Sequence, residues 1–400
     1  MEPRARQQTV AWLVALAAAW LSLAALGYRA RDPDSRLYAE MAARMSEAPA
    51  AGWIAPDAPP GSYISGRFRE HPAGLFWPAA LLARLGYPPE QAAYALNALY
   101  QCATLVLIPV LAATLVSGSE ARALAWLLQL LPIAFTYRVR ANHEAALLLC
   151  LVLALLGTEW SRRHARFATL TALGLVGMLL VKGIFAAFGP VACGIWLLAS
   201  RRDPERAVGK AWAGLALAVA AMVATALAYE WLYRSATGEP FWSFYVSRQL
   251  GVATAGEAHA AGGALLQKAA NVAFYVGRIL WFAFPWTLAL LFAAGRRRPA
   301  SGGERGRAVG AAFVAGTLLV YVLAFSLFDR RADRYVFPAY YLAGAGGAVA
   351  ALALWPRLRR LAEAFDRPWI PALVFVLTFV AHLLAGRLGL PTIKLAAGGD

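Results

Sequence analysis

The sequence predicts an all-α protein: a polytopic transmembrane helical bundle of about eleven spans, with interfacial helices in a long first external loop. Of its 400 residues, 60% are hydrophobic and only 15% are charged, and the mean hydropathy is +0.54. A soluble domain needs more charged residues to keep its surface hydrated, so this composition indicates lipid as the main solvent. The spans must be helical because hydrocarbon offers no partner to a free backbone group.

Eleven apolar stretches approach the length of about 20 residues that crosses roughly 30 Å of hydrocarbon. The first resembles a signal peptide, but it is long for one and no clear cleavage site follows it, which favours a retained anchor. We predict spans at residues 9–28, 91–116, 123–137, 144–160, 167–182, 184–200, 211–233, 271–294, 308–327, 336–354 and 369–389.

The net charge of +16 does not indicate nucleic-acid binding, because the basic residues lie in short runs between apolar stretches. Such runs are typical of cytoplasmic loops that face anionic lipid. The three cysteines lie within apolar stretches, so we expect buried hydrophobic side chains rather than disulfides or metal ligands. These residues are Cys102, Cys150 and Cys193.

Four dense basic runs lie at residues 162–166, 201–210, 296–307 and 357–367. Two predicted spans separate each run from the next, so all four lie on one side, which the positive-inside rule makes cytoplasmic. The N-terminus carries Arg4 and Arg6 and is expected on the same side. The sequence thus predicts a multi-pass protein of a bacterial inner membrane.

An even number of spans must then precede residue 162, which excludes residues 72–86 as a span. We predict an amphipathic or re-entrant helix at the outer interface there. The first external loop covers residues 29–90 and a second long one covers 234–270. Residues 1–400 are expected to form a single transmembrane domain, with no separate soluble C-terminal domain.

The first external loop contains two groups of candidate residues. Pro33 and Asp34 begin a stretch with helical spacing, where Asp34 is either a helix-capping group or a carboxylate serving as general base at the membrane surface. Glu70 and His71 precede an apolar segment. They are either the polar start of an interfacial helix or metal ligands, and a protonated His71 could pair with phosphate.

Further candidates stand where later spans meet the outer side. Glu144 opens an apolar helix after Asn142 and His143, and Lys182 interrupts a long apolar run. Ionisable groups at such positions are functional candidates by default, although a lysine can also reach outward to water. An arginine cluster occupies the last predicted outer turn, where guanidinium groups match either phosphate oxygens or lipid headgroups. It consists of Arg330, Arg331 and Arg334.

Taken in order, these segments resemble the GT-C membrane glycosyltransferases, in particular the lipid A aminoarabinose transferase and protein O-mannosyltransferase group (glycosyltransferase family 39-like). The family's acidic P-D-E-x-R-Y-A-E motif is similar to residues 33–40, where Ser35 replaces the second acid. Its E-K-P motif is similar to residues 70–72, where His71 replaces the lysine. Its lysine-glycine pair is similar to residues 182–183, its F-W segment to 241–245 and its late basic stretch to 325–335.

The resemblance implies an inverting glycosyltransferase that moves a hexosyl or pentosyl group from a polyprenyl-phosphate donor. The acceptor would be a hydroxyl of a lipid, polysaccharide or protein at the periplasmic face. It implies catalytic carboxylates at Asp34, Glu70 and Glu144, with Asp34 as general base.

The resemblance also implies where substrates and ions would bind. The donor phosphate would meet Lys182, Arg330, Arg331, Arg334 and His71. The substrate pocket would include Tyr38, Glu40, Asn142, His143 and Tyr335. No cofactor is certain, although Glu70 and His71 with His259 are a candidate set for a divalent cation.

Two other classes of protein fit part of the pattern. A transporter or flippase for a lipid-linked sugar would also bind such a lipid, but transporters carry polar or broken helices at mid-bilayer. Here most predicted span centres lack charge and the polar groups gather at one face. A non-catalytic scaffold would not need acids, a lysine and arginines at that face.

Overall fold

The computed structural model describes residues 32–64, 66–138, 140–201, 208–254, 261–294, 302–328 and 330–365, with a few single positions up to 376. The described chain is almost wholly helical, which confirms the predicted all-α membrane fold. Its helices are α1 (Pro33–Glu47), α2 (Ala50–Ile54), α3 (Trp77–Arg84), α4 (Pro89–Ala112), α5 (Gly118–Leu127), α6 (Pro132–Arg138), α7 (Glu144–Ser161), α8 (Ala168–Lys182), α9 (Phe188–Ala199), α10 (Val208–Thr237), α11 (Trp242–Thr254), α12 (Ala261–Phe282), α13 (Trp286–Ala294), α14 (Gly302–Ser326), α15 (Phe337–Leu354) and α16 (Pro356–Phe365).

Six helical stretches of the described chain are long and apolar enough to cross a membrane, or seven if the bent pair α12–α13 is one span. This count treats residues 165–199 as one stretch. The predicted total of eleven is not confirmed, because the predicted spans at 9–28 and 369–389 fall on or almost wholly on residues outside the described ranges.

The chain reverses direction inside residues 165–199, at a 3-10 turn formed by Gly183–Ala187. At the end of α8, Lys182 contacts the first residue of α7, Glu144. At the end of α9, Trp196 donates a 2.9 Å hydrogen bond to Glu159, close to the last residue of α7. Therefore α8 and α9 are two antiparallel segments, as the sequence predicted.

Helices α7 and α8 approach closely because small residues face each other. A side chain at Gly174 would lie 2.5 Å from the backbone of α7, at Cys150 O and Ala154 N. Packing through small residues is a common source of helix association in membranes, where apolar burial between helices gives little net drive. This contact fixes the relative position of Glu144 and Lys182, one on each helix.

Two predicted spans are interrupted. Residues 123–137 were expected to form one helix, but Pro132 begins a new helix, and α5 and α6 are joined by a 3-10 turn. A proline inside a helix removes a backbone donor and clashes with the preceding turn. Residues 271–294 are likewise divided at Pro285, where α12 and α13 meet at a bend of 113°. The Trp286 indole donates a 2.8 Å hydrogen bond to Leu127 O and joins the two interrupted segments.

The segment before α4 folds as short helices that pack on each other. Residues 72–86 form a 3-10 turn and the eight-residue α3, too short to span, as predicted. Arg84 donates to the carbonyls of Ser46 at 2.7 Å and Ala48 at 2.8 Å, which ties α3 to the end of α1. Tyr229 of α10 donates to Ile54 O at 3.0 Å and anchors α2.

The segment predicted as a second long external loop, residues 234–270, contains helices in its described part. Helix α10 continues to Thr237, α11 follows at Trp242–Thr254, and α12 begins at Ala261. Glu230 accepts hydrogen bonds from the backbone of Phe241 and Trp242 at the start of α11, at 3.0 and 2.9 Å. Sequence inspection missed this because α11 is less uniformly apolar than the spans.

The described residues of the basic runs and the candidate residues lie at opposite ends of the bundle. At one end Arg162 pairs with Glu159 at 3.0 Å, and Arg307 at the start of α14 pairs with Glu120. At the other end Glu144 meets Lys182, and Phe325 near the end of α14 stacks on Phe185 at 5.4 Å. The positive-inside rule then favours a cytoplasmic position for the first end and an external position for the second.

Sidedness can be measured by cysteine labelling. We expect a membrane-impermeant maleimide to label Glu90→Cys in intact spheroplasts, because Glu90 is exposed at the start of α4, the helix whose Asn97 contacts the segment before His143. Arg163→Cys, exposed at the opposite end, should react only after permeabilisation. The reverse pattern would place the candidate site in the cytoplasm.

Candidate active site

Asp34 lies in the first turn of α1, at the end of the bundle away from the basic runs. Asp32 precedes the helix and accepts a 3.1 Å hydrogen bond from Ser35 N, so the capping role belongs to Asp32 rather than to Asp34. The buried face of α1 carries Leu37, Met41 and Met45. This packing orients the helix so that the Asp34 carboxylate stays partly exposed.

Two groups from distant parts of the chain hold the Asp34 carboxylate. Tyr63 donates a 2.7 Å hydrogen bond to Oδ1, and Arg334 forms an ion pair with Oδ2. Arg334 comes from the 3-10 turn Asp333–Val336 that precedes α15. Burial, followed by the hydrogen bond to Asp34, raises the pKa of the Tyr63 hydroxyl well above its usual value of 10, so this group remains a donor at neutral pH.

Glu144 and Lys182 form a second ion pair, which is buried. The Lys182 Nζ lies 3.3 Å from Glu144 Oε1, and each residue is only 1% exposed. The same oxygen lies 2.9 Å from His143 Nε2. Lys182 Nζ also lies 4.7 Å above the Phe185 ring, so the cation is enclosed by one carboxylate and one aromatic face.

The backbone after Lys182 needs a glycine. Gly183 has a φ of +55°, and a Cβ there would lie 2.6 Å from the Tyr245 ring. The Tyr245 hydroxyl donates a 3.0 Å hydrogen bond to Lys182 O. Helix α11 thus fixes the end of α8, a contribution that sequence reasoning missed because Tyr245 was noted only within an aromatic segment.

Two histidines lie beside the buried pair. The rings of His71 and His143 are 4.5 Å apart in an edge-to-face arrangement, and Tyr38 lies 5.5 Å from His143. Burial lowers the pKa of His143 to about 4, and burial together with His143 and Lys182 holds the pKa of His71 well below 6.5. Both imidazoles are therefore neutral at pH 7, and His71 does not carry the positive charge that a lysine would.

A layer of hydrogen bonds supports the segment that carries His143. The amide groups of Asn97 and Gln101 on α4 donate to Tyr137 O at 3.0 and 2.9 Å. Ala141 N donates to Ser35 Oγ at 3.1 Å, which joins the same segment to α1. Ser35, the residue that replaces the second acid of the family motif, is fully buried and performs this structural task.

Three more of the predicted residues have contacts of their own. Glu70 pairs instead with Arg248 of α11, and its carbonyl accepts a 3.0 Å hydrogen bond from Gln249. Tyr335 lies 5.7 Å from Phe185, next to Lys182. Asn142 lines a small cavity with Tyr38, and its Oδ1 is buried without a partner.

Three further predicted residues are exposed on the surface. Glu40 points away from the buried face of α1. Arg330 and Arg331 are both exposed, and Arg331 lies 5.5 Å from the Phe274 ring. Arg334 is thus the member of the arginine cluster that enters the site.

The predicted cation set does not fit the described residues. No group of three His, Cys, Asp or Glu side chains suited to a metal ion occurs in the part of the chain that the structure describes. Glu70 and His71 supply at most two ligands, and the Glu70 carboxylate is engaged by Arg248. The third residue of the set, His259, lies outside the described ranges.

Removing one partner of the buried pair should destabilise the protein strongly. We expect Lys182→Met to cost about 3–5 kcal/mol, because the Glu144 carboxylate is left buried without its cation. The double variant Lys182→Met/Glu144→Gln should recover part of this loss. Unfolding in detergent measures both, with Lys210→Met as the matched control at an exposed lysine. Strictly additive effects would contradict the pairing.

Stability should also fall with acid. His143 has a depressed pKa in the folded protein, about 4 against the usual 6.5, so below about pH 6.5 the unfolded chain binds more protons. We expect the unfolding temperature to drop as the pH falls from 6.5 towards 4, and the drop to be smaller in His143→Gln. An identical pH profile for the variant would show that His143 is not a neutral, buried group.

Comparisons with known proteins place this geometry in a known fold. A family model described as dolichyl-phosphate-mannose-protein mannosyltransferase matches residues 70–229, less than half of the chain. A search of curated proteins finds no match.

The solved structures of two membrane transferases are similar to this chain. A crystal structure of ArnT from Cupriavidus metallidurans bound to undecaprenyl phosphate has a TM-score of 0.63 and 15% identity, and the match covers 96% of this chain and 71% of that one. Its apo structure has a TM-score of 0.61 and 16% identity, covering 88% of this chain and 59% of that one. The oligosaccharyltransferase AglB from Archaeoglobus fulgidus, in complex with an inhibitory peptide and a dolichol-phosphate, has a TM-score of 0.52 and 11% identity, covering 93% and 56%.

The chain thus spans less than two thirds of the length of two of these three structures. The match covers almost all of this chain, so the likeness concerns the whole fold. The predicted resemblance is confirmed: this is a multi-pass membrane protein with the fold of the GT-C glycosyltransferases.

Proposed function

We propose that this protein transfers a sugar from a polyprenyl-phosphate donor to an acceptor hydroxyl at the external membrane face, with Asp34 as general base. One observation carries the proposal: the Asp34 carboxylate sits beside Arg334 at the end of the bundle that lacks the basic runs. A partly exposed carboxylate next to a cation is the pair that this reaction needs. Lys182 lies at the same end of the bundle, where its Nζ is 3.3 Å from Glu144 Oε1.

The chemistry follows from these positions. The acceptor oxygen attacks the anomeric carbon while the bond from that carbon to the phosphate oxygen breaks. The acceptor's proton passes to Asp34, and the bonding electron pair leaves with the polyprenyl phosphate. Arg334, with its guanidinium fork, stabilises the charge that develops on the leaving phosphate. A single displacement inverts the configuration of the sugar.

The position of the site suits a donor with a lipid tail. Lys182, Glu144 and Arg334 lie at the ends of helices that are long and apolar enough to span, so a phosphate held there leaves its tail at the level of the hydrocarbon. An external site further requires a lipid-linked donor that has been carried across the membrane. Binding of undecaprenyl phosphate by ArnT and of a dolichol-phosphate by AglB, two proteins of this fold, supports the same donor class.

A transporter or flippase of a lipid-linked sugar is the second candidate. The observation that favours it is the broken pair α12–α13, bent by 113°, because broken helices form the substrate sites of many transporters. At the break, however, the Trp286 indole donates a hydrogen bond to Leu127 O, and the two charge pairs of the candidate site lie elsewhere, at the end of the bundle.

We expect Asp34→Asn to lower transfer by about 10²- to 10⁴-fold, the usual contribution of a general base, with normal membrane insertion. Glu47→Gln is the matched control, since it neutralises an exposed acid at the other end of α1. Mass spectrometry of lipid and envelope extracts from a deletion strain carrying each variant measures donor accumulation and product loss. Near-normal product in Asp34→Asn cells would remove Asp34 from the mechanism.

The same extracts separate a transferase from a transporter. Detergent micelles do not separate two aqueous compartments, so purified protein in micelles cannot transport a lipid from one side of a membrane to the other. We expect wild-type protein to release polyprenyl phosphate from the lipid extract of deletion cells once an acceptor fraction is added. A transporter would leave the lipid-linked sugar intact.

A further inference from the structure

Both oxygens of the proposed base have a close partner in the structure. Oδ2 of Asp34 pairs with Arg334, and Oδ1 accepts the Tyr63 hydroxyl at 2.7 Å. Each carboxylate oxygen has two lone pairs, so an acceptor hydroxyl can still approach, but at Oδ2 it must compete with the Arg334 guanidinium. An event that moves Arg334 away from Oδ2 would remove this competition.

The charges of the cluster show where a phosphate would bind. Among the described groups that face one another here, Asp34 and Glu144 are negative, and Arg334 and Lys182 are positive. His71 and His143 are neutral, so the four charges cancel in two pairs. An incoming phosphodiester adds one negative charge, which a cation from one of these two pairs would balance.

The two pairs differ in how easily they yield a cation. Glu144 and Lys182 are each 1% exposed, and separating them would leave a carboxylate buried without a counter-charge. The side chains of Arg334 and Asp34 are 33% and 29% exposed, so water can solvate Asp34 once Arg334 moves. Arg334 is thus the cation that a phosphate can capture at lower cost.

On the basis of the proposed function, we propose that the donor phosphate and Asp34 compete for Arg334, so that donor binding itself releases Asp34 to act as base. The Arg334 guanidinium turns from Oδ2 to the phosphate oxygens, and no covalent bond changes in this step. Oδ2 then faces the acceptor hydroxyl and receives its proton. Without a donor, Arg334 keeps the base occupied.

Tyr63 is the residue that positions the Asp34 carboxylate during this exchange of partners. It lies in a loop closed by a bridge between Asp57 and Arg67 and by the 2.7 Å hydrogen bond from Ala58 N to Gly66 O. Glu239, two residues after the end of α10, pairs with Arg67 and Arg69 and holds the base of the loop. After Arg334 leaves, the hydrogen bond from Tyr63 to Oδ1 keeps the carboxylate in place.

Binding of undecaprenyl phosphate to the purified full chain in detergent, followed by native mass spectrometry, tests the competition. We expect Asp34→Asn and Asp34→Ala each to bind this probe about 3- to 30-fold more tightly than wild type, because Arg334 has lost its competitor. Arg334→Gln should bind it at least about tenfold more weakly. Glu47→Gln, which removes an acid from the same helix without touching Arg334, should stay within about twofold of wild type.

Equal or weaker binding by both folded Asp34 variants would overturn the competition, and so would an equal gain in Glu47→Gln. Two replacements at position 34 guard against one variant failing to fold, which a melting curve reports. This outcome is distinct from failure of the proposed function. If Asp34→Asn loses transfer without gaining affinity, only the competition is wrong, whereas retained transfer removes Asp34 as base.

The pH–rate profile of Tyr63→Phe tests the positioning role. The variant loses a donor that stabilises the charged carboxylate, so the acid limb of the profile should move to higher pH and kcat should fall more than KM rises. A role confined to folding would lower the yield of active protein and leave the acid limb where it was. An acid limb at the same pH as in the wild type would therefore show that Tyr63 does not position Asp34.

Discussion

The whole site depends on one constraint: a charge taken out of water must keep a partner of opposite sign. Glu144 and Lys182 satisfy it across the tight contact between α7 and α8, where Gly174 lets the two helices approach. Because both ends of this pair are set by helices, the pair is rigid. It also fixes the position of His143, whose Nε2 faces the same carboxylate oxygen.

The second charge pair is built differently, and the difference has functional meaning. Asp34 and Arg334 come from a helix start and a 3-10 turn, and both side chains remain about a third exposed. A pair of this kind stabilises the fold little, but it can exchange partners when a ligand arrives. The site thus joins a rigid, buried pair to a loose pair that carries the proposed chemistry.

The sequence predicted the fold class well, because hydropathy is a local property. A stretch of apolar residues can be recognised as a membrane span without information from the rest of the chain. It predicted the interruptions less well. Pro132 and Pro285 were visible, but whether a proline kinks or divides a span depends on contacts with distant parts of the chain, here the hydrogen bond from the Trp286 indole to Leu127 O. Helix α11 was missed because a segment that mixes polar and aromatic residues gives a weak hydropathy signal.

The candidate site could be predicted only in part, for a related reason. Basic runs and parity placed Asp34, Lys182 and Arg334 at one end, where the structure also has them. The partners could not be predicted, because Asp34 and Arg334 are 300 residues apart in the chain, and nothing local distinguishes Tyr63 from other loop tyrosines. A structure with a polyprenyl-phosphate sugar bound is the most direct test of the central claim. The phosphate should contact Arg334, with the anomeric carbon facing Asp34, whereas a phosphate bound at the opposite end, beside Arg162, would contradict it.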